Sequence, residues 1–507
     1  MNTRIMRFHL TTFGCKVNQY ESQVILEHWT RQGHVQVAEP AQANVILIHS
    51  CAVTAKAVAE LRKAAAALQR SAPRAGILIT GCAAQTFGPE LRGLHGVVGV
   101  VGTQDRGRLL EGPDVLLQQS ANELFSGSKS KANMLAGVSD FRRARAQVKV
   151  QDGCSHGCTY CIVPLARGPG QSREPGEVVE EVRRLLAAGF REISLIGVNL
   201  RLYGQDLQPR SDFWDLVLTL EQTFAPLWAD RARLRLSSLD PAMLGTKALE
   251  VISGSRLLCP HLHLSLQSAS PTVLANMGRN HYRPEAISDF CARLEHRLGL
   301  YALGADLLTG FPDEQDSHFR ETLEFCSTLP LTYAHVFPFS PRPGTPAADR
   351  ANQVPEEVRR DRARQLRTLA GTKHQAFIRT LAKRNVVTMV MEGTAPYRGK
   401  CEYYVPCRLV QKSEEPGKSG VGETSEKNRV LTARELVRVH PVGTTLKGRD
   451  WGLECVLADE TGECDAVTPA GSQESGERRA DPDGVVRSGP GSIAGGRRAG
   501  PGPQRCP

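Results

Sequence analysis

Nowhere in the 507 residues is there a run of the roughly 18 or more uninterrupted apolar residues that a bilayer span needs. The opening Met1-Asn2-Thr3-Arg4-Ile5 leads into no apolar signal segment. A membrane partner is therefore not expected, and the protein is expected in the cytoplasm. No internal repeat recurs at solenoid periods. Beyond Glu460 large apolar residues all but vanish in favour of Gly, Pro, Ser, Arg and Asp, so 457–507 cannot bury enough surface to offset chain entropy and is expected as a disordered tail. Acidic residues are in deficit: 53 Asp plus Glu face 63 Lys plus Arg, a formal charge of +10, which favours a polyanionic partner such as nucleic acid. Apolar residues at 41% suffice for real cores, and the length allows about three domains. In a reducing compartment the fourteen cysteines are poor disulfide candidates, which leaves metal ligation, catalysis or burial.

Short apolar runs alternate with helical patterns at the start of the chain: 7–12 then 19–32, 44–49 then 54–70, and 76–80 before 97–101. Residues 1–125 accordingly read as a parallel α/β domain. A weakly patterned stretch with the run Ser126-Gly-Ser-Lys-Ser-Lys131 follows. From 140 to 370, strand-like runs at 147–151, 192–198, 233–238, 261–266, 303–309 and 333–339 alternate with helices. Six such units predict an open, partial α/β barrel whose chemistry sits on loops at the carboxyl ends of its strands. Gly189 and Gly299 stop two of the helices. Residues 355–384 read as a long helix carrying Arg359, Arg360, Arg362, Arg364 and Arg367, either solvated or facing RNA. Short strand-like segments over 380–456, separated by Gly and charged loops, predict a small β-barrel. The fold class is α/β with that β-barrel appended.

Cysteine placement carries the chemistry. Cys154-Ser-His-Gly-Cys158-Thr-Tyr-Cys161 follows the first barrel strand directly. Three thiolates in one tight loop can hold three irons of a 4Fe-4S cluster, and without a fourth Cys nearby one iron stays open to an exogenous ligand. A structural zinc site would want a fourth protein ligand, and His156 is badly placed inside the loop to supply it. Cys15, Cys51 and Cys82, far apart in sequence, each stand just after an apolar strand. In a parallel sheet those carboxyl ends share one edge, so the three converge where ligands bind. Buried structural cysteine is the alternative, and Gly14 and Gly81 also suit ordinary strand-to-helix turns. Cys259, Cys291, Cys326, Cys401, Cys407 and Cys455 read as buried small hydrophobes, and Cys464 and Cys506 as tail thiols. His261 and His263 share one strand face, either toward a substrate or as satisfied interior groups.

The Cys154 loop resembles that of the radical S-adenosylmethionine superfamily, in which the open iron chelates the cofactor. There the reduced cluster cleaves the sulfonium to methionine and a 5′-deoxyadenosyl radical that abstracts hydrogen. The resemblance places Tyr160 beside the adenine of the cofactor, unless it is simply a packed loop aromatic. With the second trio the chain resembles the methylthiotransferases, over nearly everything up to about residue 456. Ile196-Gly-Val-Asn199, His261-Leu-His-Leu-Ser-Leu-Gln-Ser268, Met277-Gly-Arg279 and His335-Val-Phe-Pro-Phe-Ser-Pro-Arg342 strengthen it.

This resemblance implies an N-terminal cluster domain, a radical domain and an RNA-binding β-barrel module called TRAM. It also implies two 4Fe-4S clusters, on Cys15, Cys51, Cys82 and on Cys154, Cys158, Cys161, with S-adenosyl-L-methionine as cofactor. The implied partners are tRNA, a flavodoxin- or ferredoxin-like electron donor and a sulfur source. Gly14-Cys-Lys-Val-Asn-Gln-Tyr-Glu-Ser22 is similar to the branch that puts a methylthio group on carbon 2 of N6-threonylcarbamoyladenosine beside the anticodon. Isopentenyladenosine in tRNA or a ribosomal protein side chain are the rival substrates, and a zinc-containing RNA-binding protein is the rival of another class. Asp313 and Gln315, in Gly310-Phe-Pro-Asp-Glu-Gln315, depart from the Gly-Phe-Pro-Gly-Glu-Thr usual in the family.

Overall fold

The computed structural model describes residues 5–119, 137–393, 397–410, 431–447 and 450–458. β1 (Arg7–Thr12), β2 (Val35–Gln36), β3 (Val45–Ser50), β4 (Gly76–Gly81) and β5 (Val97–Val101) form a parallel sheet in the order β2-β1-β3-β4-β5. Val45-Ile46-Leu47-Ile48 is apolar without alternation because β3 is central and covered on both faces. Val45 and Leu47 pack with Tyr20, Val24 and Trp29 of α1 (Lys16–Arg31). Ile46 and Ile48 pack with Val58 and Leu61 of α2 (Ala55–Ser71) and with Ala83 of α3 (Cys82–Arg92). Helix α1 starts three residues before the expected 19, since Cys15 caps it through its backbone alone and leaves no side-chain capping signal to read. α4 (Pro113–Gln118) adds Leu116 to the α1 side of the core.

The second region opens with β6 (Ala146–Lys149) and a short antiparallel pair, β7 (Gln151–Asp152) and β8 (Gln171–Ser172). α5 (Val163–Arg167) lies between that pair. Then come β9 (Glu192–Ile196), β10 (Arg233–Leu236), β11 (Ser238–Leu239), β12 (His261–Gln267), β13 (Ala302–Thr309) and β14 (Tyr333–Pro338). They pair in parallel as β6-β9-β10 and β11-β12-β13-β14, and β10 runs into β11 through Ser237. The run read as 233–238 is thus one strand broken in two, and six staves make a curved, open wall.

The helix Glu356–Leu381 lies along that wall, and its arginines correct the picture of a basic face. Arg362 is buried against Glu314 at 2.7 Å and Asp316 at 2.7 Å. Arg359 donates to the Phe339 carbonyl at 2.6 Å, and Arg367 to that of Val336 at 2.6 Å. Arg360, Arg364, Arg367 and Arg379 are exposed, and Arg360 and Arg364 each pair with a carboxylate of their own helix. Arg359, Arg362 and Arg367 fasten the helix to its neighbours, so only part of the basic side is left to water.

Asp313, where the family usually has Gly, adopts φ +68°, the left-handed region glycine favours. Its carboxylate repays the strain by accepting from Asn352 Nδ2 at 2.8 Å and from Arg350 at 3.1 Å. Gln315, the second departure, caps the following helix reciprocally with His318. Asp313→Gly relieves a non-glycine left-handed residue costing up to about 1–2 kcal/mol and removes two partly exposed bonds of about 1 kcal/mol each. The expected net change is under about 1 kcal/mol in a denaturant melt; a loss well beyond that would contradict the compensation.

β15 (Val387–Met391), β16 (Arg398–Cys401), β17 (Pro406–Leu409), β18 (Leu436–Lys447) and β19 (Asp450–Leu457) close into the small barrel in the order β15-β16-β17-β19-β18. Tyr403 and Tyr404 form the corner before β17, and β16, Arg398-Gly-Lys-Cys401, is more polar than an ordinary strand. Cys401, Cys407 and Cys455 fill the barrel core, and Cys259, Cys291 and Cys326 are likewise buried. The expected tail, Cys464 and Cys506 lie outside the described residues beyond 458. No helix among the described residues is long and apolar enough to cross a membrane.

Candidate iron-sulfur and radical centre

β1, β3 and β4 are consecutive in the first sheet and parallel, so their carboxyl ends emerge side by side. Cys15 caps α1 after β1, Cys51 follows β3, and Cys82 opens α3 directly after β4. Close approach demands glycine at two of the turns. A Cβ on Gly14 would sit 2.7 Å from Cys51 Cβ, and one on Gly81 would sit 2.3 Å from the Ser50 carbonyl; both have φ above +90°. The structure therefore brings Cys15, Cys51 and Cys82 to one crevice. Burial, and then the neighbouring thiols Cys82 and Cys15, push the Cys51 thiol up to about 12.

Cys154, Cys158 and Cys161 are held in the loop between β7 and α5. Gly153, at φ +66°, lets the chain pass against Pro169, and the Cys154 N–H donates to the Gly168 carbonyl at 2.9 Å. Burial and the other two thiols push Cys161 up to about 12. His156 is spoken for: Nε2 bonds the Gly278 carbonyl at 3.0 Å and Nδ1 accepts from Arg201 at 3.1 Å. It supplies no fourth ligand.

In each trio a buried thiol, Cys51 or Cys161, is kept from ionising by its neighbours until a positive centre joins it, which is the donor chemistry of a metal site. A single tetrahedral ion needs a tighter spacing than either set has. Tetrahedral zinc with bonds of about 2.3 Å needs its sulfurs about 3.8 Å apart. Among the described residues the one trio of ligand atoms within 4.8 Å of one another is His263, Asp306 and His335, and neither cysteine set qualifies. The wider spacing fits a multi-iron cluster.

Charged groups aim at both trios. Arg279 donates to Cys158 Sγ at 3.7 Å while anchored on Asp240 at 3.0 Å, and Asn199 Nδ2 donates to Cys154 Sγ at 3.5 Å. Arg167, the last residue of α5, lies close enough to Cys82, across the boundary between the two regions, for its charge to favour the thiolate. It belongs to a buried network in which Glu21 takes Lys149 at 2.8 Å and Arg167 at 2.9 Å, and Asp152 takes Lys149 at 3.0 Å and Arg167 at 2.8 Å. Arg106 reaches both carboxylates, at 3.3 and 2.5 Å. Three cations thus meet two carboxylates, and the spare positive charge is directed at Cys82, where a thiolate would balance it. Ile162 and Ala166, next to the Cys154 loop, pack in the same apolar cluster as Cys82 and Phe87, so the two cysteine sites are neighbours in space.

Tyr160 is half-buried, its ring edge-on to Phe311 at 6.4 Å beside Met277 and Phe339. His261 and His263 follow the interior reading: Nε2 of His261 bonds the Tyr333 hydroxyl at 2.8 Å, and His263 sits between that hydroxyl at 3.0 Å and Asp306 at 3.0 Å. Sequence reasoning assigned no role to Asn199 or Arg279, although each falls inside a quoted motif. Arg167 it missed altogether, and the only local signal was proximity, six residues past Cys161.

A parallel barrel left open, with a three-cysteine loop after its first strand, defines a radical S-adenosylmethionine enzyme. The model described as "Radical SAM superfamily" matches residues 148–326, and "Uncharacterized protein family UPF0004" matches residues 7–102. The chain is 32% identical to the threonylcarbamoyladenosine tRNA methylthiotransferase MtaB of Rickettsia prowazekii, over 80% of this chain and 91% of that protein. It is 35% identical to the MtaB of Bacillus subtilis, over 72% and 79%. With the tRNA-2-methylthio-N(6)-dimethylallyladenosine synthase of Thermus thermophilus it shares 31% identity over 74% and 79%. This chain belongs to the radical S-adenosylmethionine methylthiotransferase family. Among solved structures, the radical S-adenosylmethionine methyltransferase TsrM of Kitasatospora setae, with cobalamin and a 4Fe-4S cluster bound, matches in fold with a TM-score of 0.51 at 14% identity, over 68% of this chain and 77% of that one.

Proposed function

We propose that this enzyme replaces the C2 hydrogen of N6-threonylcarbamoyladenosine in tRNA, next to the anticodon, with a methylthio group. The observation that carries the reading is the pair of adjacent cysteine trios, each without a fourth protein ligand among the described residues. An aryl C–H is too weak an acid for a side-chain base, so a radical route is required. Cys154, Cys158 and Cys161 hold the cluster that binds S-adenosyl-L-methionine, with Tyr160 flanking its adenine. Cys15, Cys51 and Cys82 hold the cluster that carries the sulfur. When bound, the first supplies the electron that opens the cofactor and the second presents sulfur to the activated carbon. Arg279 and Asn199 neutralise and orient the thiolates of the first site, and Arg167 does so for Cys82. Within one chain, 1–125 serves as the cluster domain, 140–370 as the radical domain and 380–456 as a TRAM-like RNA-binding barrel.

The partners are tRNA, a flavodoxin- or ferredoxin-like reductant and a sulfur source, in the cytoplasm. The net charge of +10 suits a tRNA held through its phosphates, with affinity falling as salt rises. The MtaB name shared by the relatives of Rickettsia prowazekii and Bacillus subtilis favours the threonylcarbamoyl substrate over isopentenyladenosine. Mass spectrometry of tRNA nucleosides tests this. A strain lacking the gene is expected to lose 2-methylthio-threonylcarbamoyladenosine and keep its isopentenyl counterpart. The opposite pattern overturns the substrate, and no change in either overturns the activity.

A further inference from the structure

Tyr404 stands at the corner between β16 and β17 with φ +66°, a costly conformation for an aromatic residue. Four cations surround its ring: Lys400 Nζ at 3.8 Å from the centroid, Arg235 at 5.1 Å, Arg145 at 5.5 Å and Lys16 Nζ at 5.8 Å. The aromatic faces of His261, at 5.1 Å, and Tyr333, at 6.2 Å, complete the cluster. All three regions contribute: Lys16 follows Cys15 directly, Arg145 precedes the strand leading to the Cys154 loop, and Lys400 and Tyr404 come from the small barrel.

The charges do not balance. Glu192 takes Arg235 at 2.8 Å and Arg233 at 2.7 Å, and Arg145 pairs with Glu392 at 2.8 Å. Glu402 accepts from the Thr388 N–H at 2.8 Å and hydroxyl at 3.1 Å, with Arg233 at 3.9 Å. The arginines are thereby paired. Among the described residues no carboxylate comes within ion-pair distance of Lys16 or Lys400, both half-buried. Burial, partly offset by Tyr404 and reinforced by the arginines, pushes the Lys400 ammonium below its ordinary range. Burial would raise the Tyr404 phenol, yet Lys400, Lys16 and Arg145 draw it to about 8, a measure of how strongly the place favours negative charge. Keeping unpaired cations out of water is costly, and an incoming anion recovers that cost.

We propose that Lys16 and Lys400, both within 5.8 Å of the Tyr404 ring centroid, form the receptor for a carboxylate carried by the base that is modified at the Cys15 site. The assignment rests on the threonylcarbamoyl reading above, because that side chain ends in a carboxylate and the isopentenyl group has no charge. Lys16 links recognition to chemistry: its backbone is joined to Cys15 while its ammonium lies at Tyr404. An RNA phosphate offers similar oxygens, and the test separates the two sources.

Anticodon stem-loops carrying threonylcarbamoyladenosine, its methyl ester or plain adenosine are titrated against the anaerobic holoenzyme at fixed salt. The wild type is expected to bind the acid about 10- to 100-fold more tightly than the ester, the range of a charge-assisted contact. Lys16→Met and Lys400→Met are expected to bring that ratio close to one with ester affinity unchanged, and Lys400→Arg to restore most of it. Iron content reports whether Lys16→Met has disturbed the neighbouring cluster; if it has, Lys400→Met decides alone. A ratio unchanged in the variants overturns the receptor, and equal weakening on all three stem-loops assigns the lysines to phosphate and overturns it too. If the wild type modifies the acid stem-loop while binding acid and ester alike, only the receptor falls. If it modifies an isopentenyl stem-loop and not the acid, the substrate reading falls.

Discussion

Cys158→Ala is expected to abolish cleavage of S-adenosyl-L-methionine, whereas Cys51→Ala is expected to keep cleavage and lose the methylthio product. The two cysteines answer to different sites. Cys158 stands in the loop between β7 and α5 with Arg279 on its sulfur. Cys51 follows β3 and is coupled to Cys82 and Cys15. Chromatographic measurement of 5′-deoxyadenosine and of modified nucleoside in one reaction reads both outcomes. Methylthio product from Cys51→Ala would remove the sulfur role from the second trio. Asn199→Ala removes an orienting donor and not a ligand, so its expected loss is intermediate, about 10- to 100-fold in cleavage rate.

Glu21→Ala is expected to cost about 3–5 kcal/mol of stability, the usual range for stranding one side of a buried ionic network. Lys149, Arg167 and Arg106 would be left with Asp152 alone, and all of these groups except Arg106 are at most 3% exposed. Because the charge of Arg167 also favours the Cys82 thiolate, the iron held by the N-terminal site should fall along with the denaturation midpoint. The same network sets an acid limit. Burial alone would raise the Glu21 carboxyl, but Arg167, Lys149 and Arg106 hold it well below 4.5. A carboxyl depressed in the folded state contributes stability that is complete above its unfolded value and is lost as pH falls through the folded one. Wild-type stability should therefore decline below about pH 4.5, and the decline should be shallower in Glu21→Gln. Equal pH slopes in the two proteins would contradict the assignment.

The two cysteine trios were legible for different reasons. Cys154, Cys158 and Cys161 are local, and their spacing is readable without a fold. Cys15, Cys51 and Cys82 became readable only through the strand pattern, because parallel pairing of β1, β3 and β4 is what aligns their ends. Arg167 meets Glu21, and Tyr404 meets Lys16, Arg145 and Arg235, all in other regions, so no local period marks them. The helix Glu356–Leu381 shows the opposite error. Charge alone suggested a wet face, but Arg359 and Arg362 turn inward onto the Phe339 carbonyl and Glu314. Composition reports the charge and tertiary contacts decide its direction.

Mössbauer spectroscopy of anaerobically reconstituted protein, wild type beside Cys15→Ala/Cys51→Ala/Cys82→Ala, tests the central claim that two trios hold two clusters. The account predicts about eight irons per wild-type chain in two 4Fe-4S centres, and about four in the variant. A single centre in fully reconstituted wild type, or the same iron count in both proteins, would contradict it.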